Sequence, residues 1–451
     1  MKVIFIGATS EVTGSLTLIQ SHEHFFLVDA GLQQGRTSLE KAQNIQSEWI
    51  KKVPVKKLKG VFLTHAHLDH CGLLPWLVKK GLHCPIYATA PTLKLAKIIL
   101  ENATALQGKD QSSTSEVQWD ETHTQACFNL MRPLPLDQTH EIADVSVHFS
   151  FAGHILGAAH ILVKDKVSEK TALFSGDLGR FHDPLLDPPS FVSEALDLVV
   201  MESTYGDRLH PEEIQNELLS FAVQIFLENR LGLVASFSIA RAQSLIYILE
   251  KFFQDHPEYR VPVYIDGPLL MKANAITIKE ARAFKNAQSL IEALQKAKPV
   301  RSQKERQWLQ KKSGPLLILS SSGMLEGGPV MSYLKGLSHR TDTSLFLAGY
   351  QAAGTLGAQF SQGQRSFHQQ NKNYNWSGDV VAAQSLSSHA DQAELIRWVN
   401  EIHHPKHIAL IHGEPKSKET LAQKLTEQGY HVICPQVYEE IDLTTTSTFK
   451  V

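Results

Sequence analysis

The segment Thr64-His65-Ala66-His67-Leu68-Asp69-His70 decides how the rest of this chain is read. It follows the apolar run Gly60-Val61-Phe62-Leu63, which reads as a strand, and leads through Cys71-Gly72 into a helix. Four ligand-type side chains fall within six positions. In a loop leaving a strand, His65 and His67 can converge on one ion, while Asp69 and His70, at the start of the next helix, turn toward a second. Burying three imidazoles and a carboxylate together without a metal is costly, so packing alone does not account for the cluster.

Closing two metal shells while leaving room for a reactive hydroxide takes about seven ligands. The remainder must come from elsewhere in the chain. Three candidates stand directly after apolar runs with glycine beside them, which permits close backbone approach: His154 in Phe-Ala-Gly-His-Ile-Leu-Gly-Ala, Asp177 in Phe-Ser-Gly-Asp-Leu-Gly and His412 in Leu-Ile-His-Gly-Glu. Taken singly, each reads equally well as a ligand or as a turn residue.

The bulk composition agrees with a metal protein. There are 22 histidines in 451 residues, and neutral imidazole is the common zinc ligand. Four scattered cysteines without CxxC pairing suggest neither a disulfide framework nor a thiolate zinc site, which fits a reducing cytoplasm. A net charge of -2 excludes a basic nucleic-acid coat, so any polyanion must be gripped locally. The opening Met-Lys-Val-Ile-Phe-Ile-Gly-Ala reads as a strand, and no apolar run is long enough to cross a bilayer, so no membrane partner is expected. Length makes two domains the starting expectation.

Up to about Thr204 the chain reads as short β-branched or aromatic strands ending in turn residues, with helices over Leu73 to Lys80 and Pro91 to Leu106. A strand-rich sandwich with helices outside is the natural layering. From Pro211 helix and strand alternate, with helices expected over Pro211 to Leu231, Arg241 to Gln254 and Ile276 to Gln310, as in a parallel-sheet α/β domain. After His389 a helix, the strand Ile-Ala-Leu-Ile-His-Gly-Glu, a second helix and a closing strand can complete the first domain. Two runs, Lys51 to Lys59 and Lys296 to Lys312, are strongly basic; each can touch phosphates, although charge runs usually only solvate a face.

Together these residues resemble the metallo-β-lactamase superfamily, and within it the β-CASP branch of RNA-processing nucleases. The match runs nearly end to end. Asp29 in Val-Asp-Ala-Gly-Leu-Gln-Gln-Gly looks like the superfamily's first motif, His-Ala-His-Leu-Asp-His its second, His154 its third and Asp177 its fourth, which would bridge the metals. Glu202, His389 and His412 look like the three further motifs of the branch. Ser321 to Pro329 and Gly349 to Gly357 are similar to segments of its bacterial and archaeal members. Three stretches depart from the pattern: Ser238 to Gln243, Asp266 to Leu270, and the loop around Leu106-Gln107-Gly108, where an acidic run would be expected. None of them holds a metal-ligand candidate.

The resemblance implies an α/β fold: a metallo-β-lactamase αββα sandwich over residues 1–206 and 387–451, with an inserted parallel-sheet β-CASP domain over 207–386. It implies a metal shell of His65, His67, Asp69, His70, His154, Asp177 and His412, with two zinc ions; the same ligands accept manganese or iron. Catalysis is expected from Asp69, Glu202 and His389, with His389 protonating the leaving 3′-oxygen and Glu202 keeping that imidazole charged. Asp29 is expected behind a ligand histidine, fixing its tautomer. Ser387, Ser388 and Arg241 are weaker candidates for phosphate contacts. The insert is expected to cover the metal face and leave a cleft for one strand.

The implied activity is 5′-to-3′ exonuclease cleavage of single-stranded RNA, with endonuclease cleavage also open, in RNA processing or decay in the cytoplasm; a homodimer is compatible with it. Histidine at position 412 resembles the RNA-acting members, whereas DNA-repair members carry valine there. The alternatives are a DNA-directed nuclease, a small-molecule hydrolase such as a lactonase or thioesterase, and a scaffold that has lost its metal. Retention of every ligand-type side chain argues against the last.

Overall fold

Side chains alternating with period two decide which face of each strand is buried, and the first core is built that way. Val145, Val147 and Phe149 on one strand and Ala159, Ile161 and Val163 on the next all enter it, against Val3, Phe5, Phe26 and Phe62 from a facing sheet. The computed structural model describes residues 1–34, 46–108, 115–211, 215–349, 351–352, 354–369, 371–383 and 386–445. Of the segments read from the sequence, Gly35, residues 212–214, Tyr350, Ala353 and Ser385 lie outside these.

The chain divides into two compact units, one of Met1–Gln34, Ser38–Leu209 and His389–Val451, the other of Gly35–Thr37 and His210–Ser388. In the first, one sheet runs Glu440–Asp442, Lys2–Phe5, Thr17–Ser21, His24–Val28, Leu58–Phe62, Ile86–Ala88, Met131–Pro133. Its partner runs Val432–Ile433, His407–Ile411, Leu198–Glu202, Thr171–Phe174, Ala159–Asp165, Val145–Phe151, Thr139–Ile142. The C-terminal segment therefore supplies the edge strand of one sheet and two strands of the other. The outer face of the second sheet, with Leu162, Leu173, Val199, Met201 and Leu410, is covered by Leu395, Trp398, Leu421 and Leu425 of the helices Gln392–Glu401 and Pro415–Glu427. Helix Ala90–Gln107 packs against strand Met131–Pro133 of the other sheet, completing an αββα layering. Three of the strands, Thr17–Ser21, Met131–Pro133 and Thr139–Ile142, escape a reading by apolar runs because they are short or alternate with polar residues.

The second unit carries a six-stranded sheet, parallel throughout, in the order Lys298–Pro299, Val263–Asp266, Leu316–Ser320, Leu231–Ala235, Thr343–Ala348, Asp379–Ala383. Central strands such as Leu231–Ala235 and Thr343–Ala348 are buried at every residue, as expected of a sheet covered on both faces. The expected helix over Ile276 to Gln310 is corrected. It is three helices, Pro268–Lys279, Ala287–Lys296 and Gln303–Lys311, with the edge strand Lys298–Pro299 between the last two. Pro299 lacks the N–H a helix needs there, and Ser302 restarts the chain as a helix cap. No described helix is long and apolar enough to cross a membrane.

Candidate metal centre

The site residues of the first unit stand where strands end. His65 and His67 follow Leu58–Phe62, His154 follows Val145–Phe151, Asp177 follows Thr171–Phe174, and His412 follows His407–Ile411. Glu202 is the last residue of its strand, paired in parallel register with Ile411, so His412 emerges beside it. Two short antiparallel bridges, Gly153 with Leu178 and Gly179 with His389, lace the loops that carry His154, Asp177 and His389. A side chain on Gly179 would put Cβ 2.0 Å from the Gly153 carbonyl, so only glycine admits that approach. Asp29 (φ 62°) and His412 (φ 50°) both hold the left-handed backbone that non-glycine residues rarely adopt, and such strain concentrates at functional sites.

Seven side chains converge in two groups that share Asp177. Its Oδ2 lies 3.3 Å from His65 Nε2 and 3.5 Å from His154 Nε2, while His67 Nδ1 is 3.0 Å from His65 Nε2 and 3.2 Å from His154 Nε2. Its Oδ1 lies 3.3 Å from His70 Nε2 and 3.6 Å from His412 Nδ1, and His412 Nε2 is 3.6 Å from Asp69 Oδ2. Within the sets His65, His67, His154, Asp177 and Asp69, His70, His412, one candidate ligand atom per residue falls within 4.8 Å of all the others.

Burial sets the protonation of the first set. It pushes His65 down to about 3, with His70 adding to the effect and Asp177 opposing it; it lowers His67 to about 4 against the pull of Asp69. His154 goes well below its usual value, from burial and then His389. Each ring so held is neutral and keeps one nitrogen lone pair with which to ligate a metal. Burial favours the acid form of Asp69 and Asp177, but the surrounding imidazoles, His412 foremost, hold both carboxyls below their usual range. His70 behaves oppositely: burial lowers it, yet Asp177 and Asp29 hold it well above the ordinary histidine value. Its Nδ1–H donates to Asp29 Oδ2 at 2.7 Å, which leaves Nε2 facing His412 and Asp177.

These donors fit a pair of divalent cations. The ring nitrogens His65 Nε2, His67 Nδ1 and His154 Nε2 gather with Asp177 Oδ2 about one point, as ligands of a shared cation would, and Asp177 Oδ1, fully buried, accepts no hydrogen bond among the described residues. The third group adds a different element. His389 Nδ1 lies 3.1 Å from each oxygen of Glu202, and its Nε2 is 3.9 Å from Asp177 Oδ2. Burial opposes charge on this ring, but Glu202 and then Asp177 outweigh it and raise His389 to about 9. Glu202 is itself fixed by the Leu178 N–H at 2.7 Å and the Thr204 N–H at 3.3 Å.

Two hydroxyls complete the arrangement and were not singled out by sequence. Thr64 Oγ1 contacts both oxygens of Asp29 and lies 3.1 Å from His65 Nδ1. Thr204 Oγ1 lies 3.1 Å from His412 Nδ1. Their one sequence signal is position, immediately before His65 and shortly after Glu202. Arg241, Ser387 and Ser388 belong to the other unit.

Comparison with known proteins places this geometry. Residues 10–223 match the Metallo-beta-lactamase superfamily, 242–360 the Beta-Casp domain, and 378–435 the Zn-dependent metallo-hydrolase RNA specificity domain. Ribonuclease TTHA0252 of Thermus thermophilus is 31% identical over 443 residues, 96% of this chain and 97% of its own. Probable RNase MJ4 of Methanocaldococcus jannaschii is 26% identical over 98% of this chain and all of its own. Transcription termination factor FttA of Methanosarcina mazei is 28% identical, covering 94% of this chain and 69% of itself. The crystal structure of a protein of unknown function from Enterococcus faecalis V583 aligns with a TM-score of 0.56 at 16% identity, over 98% of this chain and 99% of that one, a likeness of fold alone.

Proposed function

Because this chain belongs to the metallo-beta-lactamase superfamily and is a metal-dependent hydrolase, we propose that it cleaves phosphodiester bonds of single-stranded RNA. The direction we propose is 5′ to 3′, with internal cleavage as a second capability. The metals would be two zinc ions, one taken by His65, His67, His154 and Asp177 and the other by Asp69, His70 and His412, with Asp177 Oδ1 turned to that second set. Bound there, they would supply charge relief to the phosphoryl oxygens and a nucleophile at neutral pH.

The chain's own residues do the rest. Asp177 turns one oxygen to each ligand group, so a single carboxylate ties the two groups together. Asp29 fixes the tautomer of His70, and Thr64 fixes Asp29. Glu202 holds the His389 ring by Nδ1, which leaves the Nε2 proton on the side of Asp177. From there it can be given to the departing 3′-oxygen, which leaves poorly without one.

The observation that carries this reading is the His389–Glu202 pair, a charged, partly exposed proton donor held by a buried carboxylate at the edge of a two-group ligand cluster. The RNA reading is supported by the match of residues 378–435, which include His389 and His412, to an RNA specificity domain and by relatives named as ribonucleases. The test is time-resolved cleavage of a 5′-labelled single-stranded RNA and its DNA counterpart, with zinc content determined and H389A and D69A as controls. Mononucleotides released from the 5′ end of RNA alone, and absent with both variants, are expected. Internal fragments move the assignment to endonuclease, and no cleavage by protein carrying two metals refutes it.

A further inference from the structure

In the second unit, seven Lys or Arg side chains fall from Lys296 to Lys312 against one carboxylate, Glu305, in a chain whose net charge is -2. Helix Gln303–Lys311 lies at the middle of this run. Ser302 and Glu305 close its N-terminus as a reciprocal capping box, so the one carboxylate is turned back onto the N–H groups of Arg301 and Ser302. Two of the cations are engaged inward or sideways, Arg306 with Asp266 at 2.7 Å and Lys296 with Glu250 at 2.7 Å.

The inner side of the helix is made by buried Leu309, with Arg306 and Gln310 reaching Asp266 and Ser332. The outer side carries Lys304, Trp308 and Lys311, with Lys312 just past the last turn; the spacing i, i+4, i+7, i+8 sets them on one face. Trp308 leaves 49% of its surface in solvent, and Lys312 Nζ lies 4.1 Å from its ring centre. Beside it, the edge strand Lys298–Pro299 holds Lys298 5.6 Å from the Tyr264 ring. Lysines and a proline on an edge strand guard against wrong pairing, and a solvated helix face accounts for the remaining charge. The Lys312 contact uses part of the indole, and the half of its surface left in solvent stays open to a further ring.

We propose that the face formed by Lys304, Trp308, Lys311 and Lys312 docks single-stranded RNA, with a base stacked on Trp308 and neighbouring phosphates held by the cations. The proposal rests on the RNA reading above. An acidic protein segment would satisfy the lysines but leave Trp308 without a role, whereas a single strand offers both a π-face and a phosphate at each step.

The test uses the full chain with metal removed by chelator, so that binding is read apart from cleavage. Fluorescence anisotropy follows an unstructured, labelled single-stranded RNA, with polyglutamate as the competing polyanion and thermal melting as the fold control. W308A is expected to weaken RNA binding by about tenfold to a hundredfold at unchanged melting temperature. K304Q/K311Q/K312Q is expected to flatten the slope of log Kd against log salt by about 2. RNA affinity unchanged in W308A overturns the proposal. So does a parallel loss of affinity for RNA and polyglutamate, which gives the face to an acidic protein. Cleavage with metal restored is scored separately: intact cleavage with unchanged W308A binding refutes this surface alone, and Trp308-dependent binding without cleavage refutes the nuclease reading alone.

Discussion

Glu202→Gln isolates the proton-donor pair, because the substitution keeps the shape of a side chain that is 1% exposed and removes only its charge and one acceptor. In the native protein the two carboxylate oxygens take the Leu178 N–H at 2.7 Å, the Thr204 N–H at 3.3 Å and the His389 ring. A glutamine has one oxygen for these donors, and its NH2 must then face another donor. Leaving one buried donor unsatisfied costs roughly 1–3 kcal/mol of stability. The larger effect falls on His389, where Glu202 is the foremost cause lifting the ring from 6.5 to about 9 against its burial. At about 1.4 kcal/mol per tenfold, that lift is on the order of 3 kcal/mol in favour of the charged imidazole.

Loss of a positioned, protonated acid is expected to lower kcat by roughly 10²–10⁴. The assay is single-turnover cleavage of a labelled RNA across pH, with metal content measured in the same samples. Protonation is retained below about 9 in the native protein, so the alkaline limb is expected to move toward neutral pH in E202Q. The sign for stability follows: with the folded value raised, the contribution of the pair is complete below the ordinary histidine value and is lost as pH rises through about 9. The melting deficit of metal-free E202Q is therefore expected to be larger at pH 6 than at pH 10. A kcat within about threefold of native at unchanged metal content would refute the reasoning. A rate loss in step with metal loss would place Glu202 among the metal-holding groups instead.

Three further substitutions test the surrounding structure. D29N removes the charge and one of the two acceptors that serve His70 and the Thr64 N–H, and is expected to weaken metal affinity about 10- to 100-fold, read by competition with a chromogenic chelator, with activity recovering as metal is raised. D177N replaces the one carboxylate shared by both ligand groups; bound metal measured after gel filtration is expected to fall below two ions per chain, and two retained ions would rule out a bridging role. Asp197 accepts from Lys406 at 2.7 Å, the Thr171 N–H at 3.0 Å and Lys170 at 3.0 Å, and these partners hold its carboxyl low against its burial. D197N is expected to cost about 1–2 kcal/mol at pH 7 by denaturant titration, a deficit that shrinks as pH falls below the usual carboxylate value of about 3.9, where the unfolded chain takes up the proton first, and is gone once pH has passed the lowered folded value.

What the sequence determined by itself is local. Thr64 to His70 announce the centre because four ligand-type side chains within six positions need no tertiary contact to be seen, and runs such as Val145 to Phe151 announce strands through their period of two. The same reading failed between Ile276 and Gln310, where turns and a two-residue strand interrupt a helical composition.

Tertiary structure decided what distance in the chain conceals. His70 and His412 meet across 342 positions, which follows from the parallel register that sets Glu202 against Ile411; a one-residue slip would turn these strand-end side chains to the opposite face. The backbone bridge from Gly179 to His389 brings the proton donor to Asp177. Thr64 and Thr204 carry no signal of their own, because a threonine hydroxyl acquires a role only from the carboxylate or imidazole the fold sets against it. Ligand chemistry is thus legible residue by residue, whereas convergence depends on register and close backbone approach, which are properties of the packed sheets.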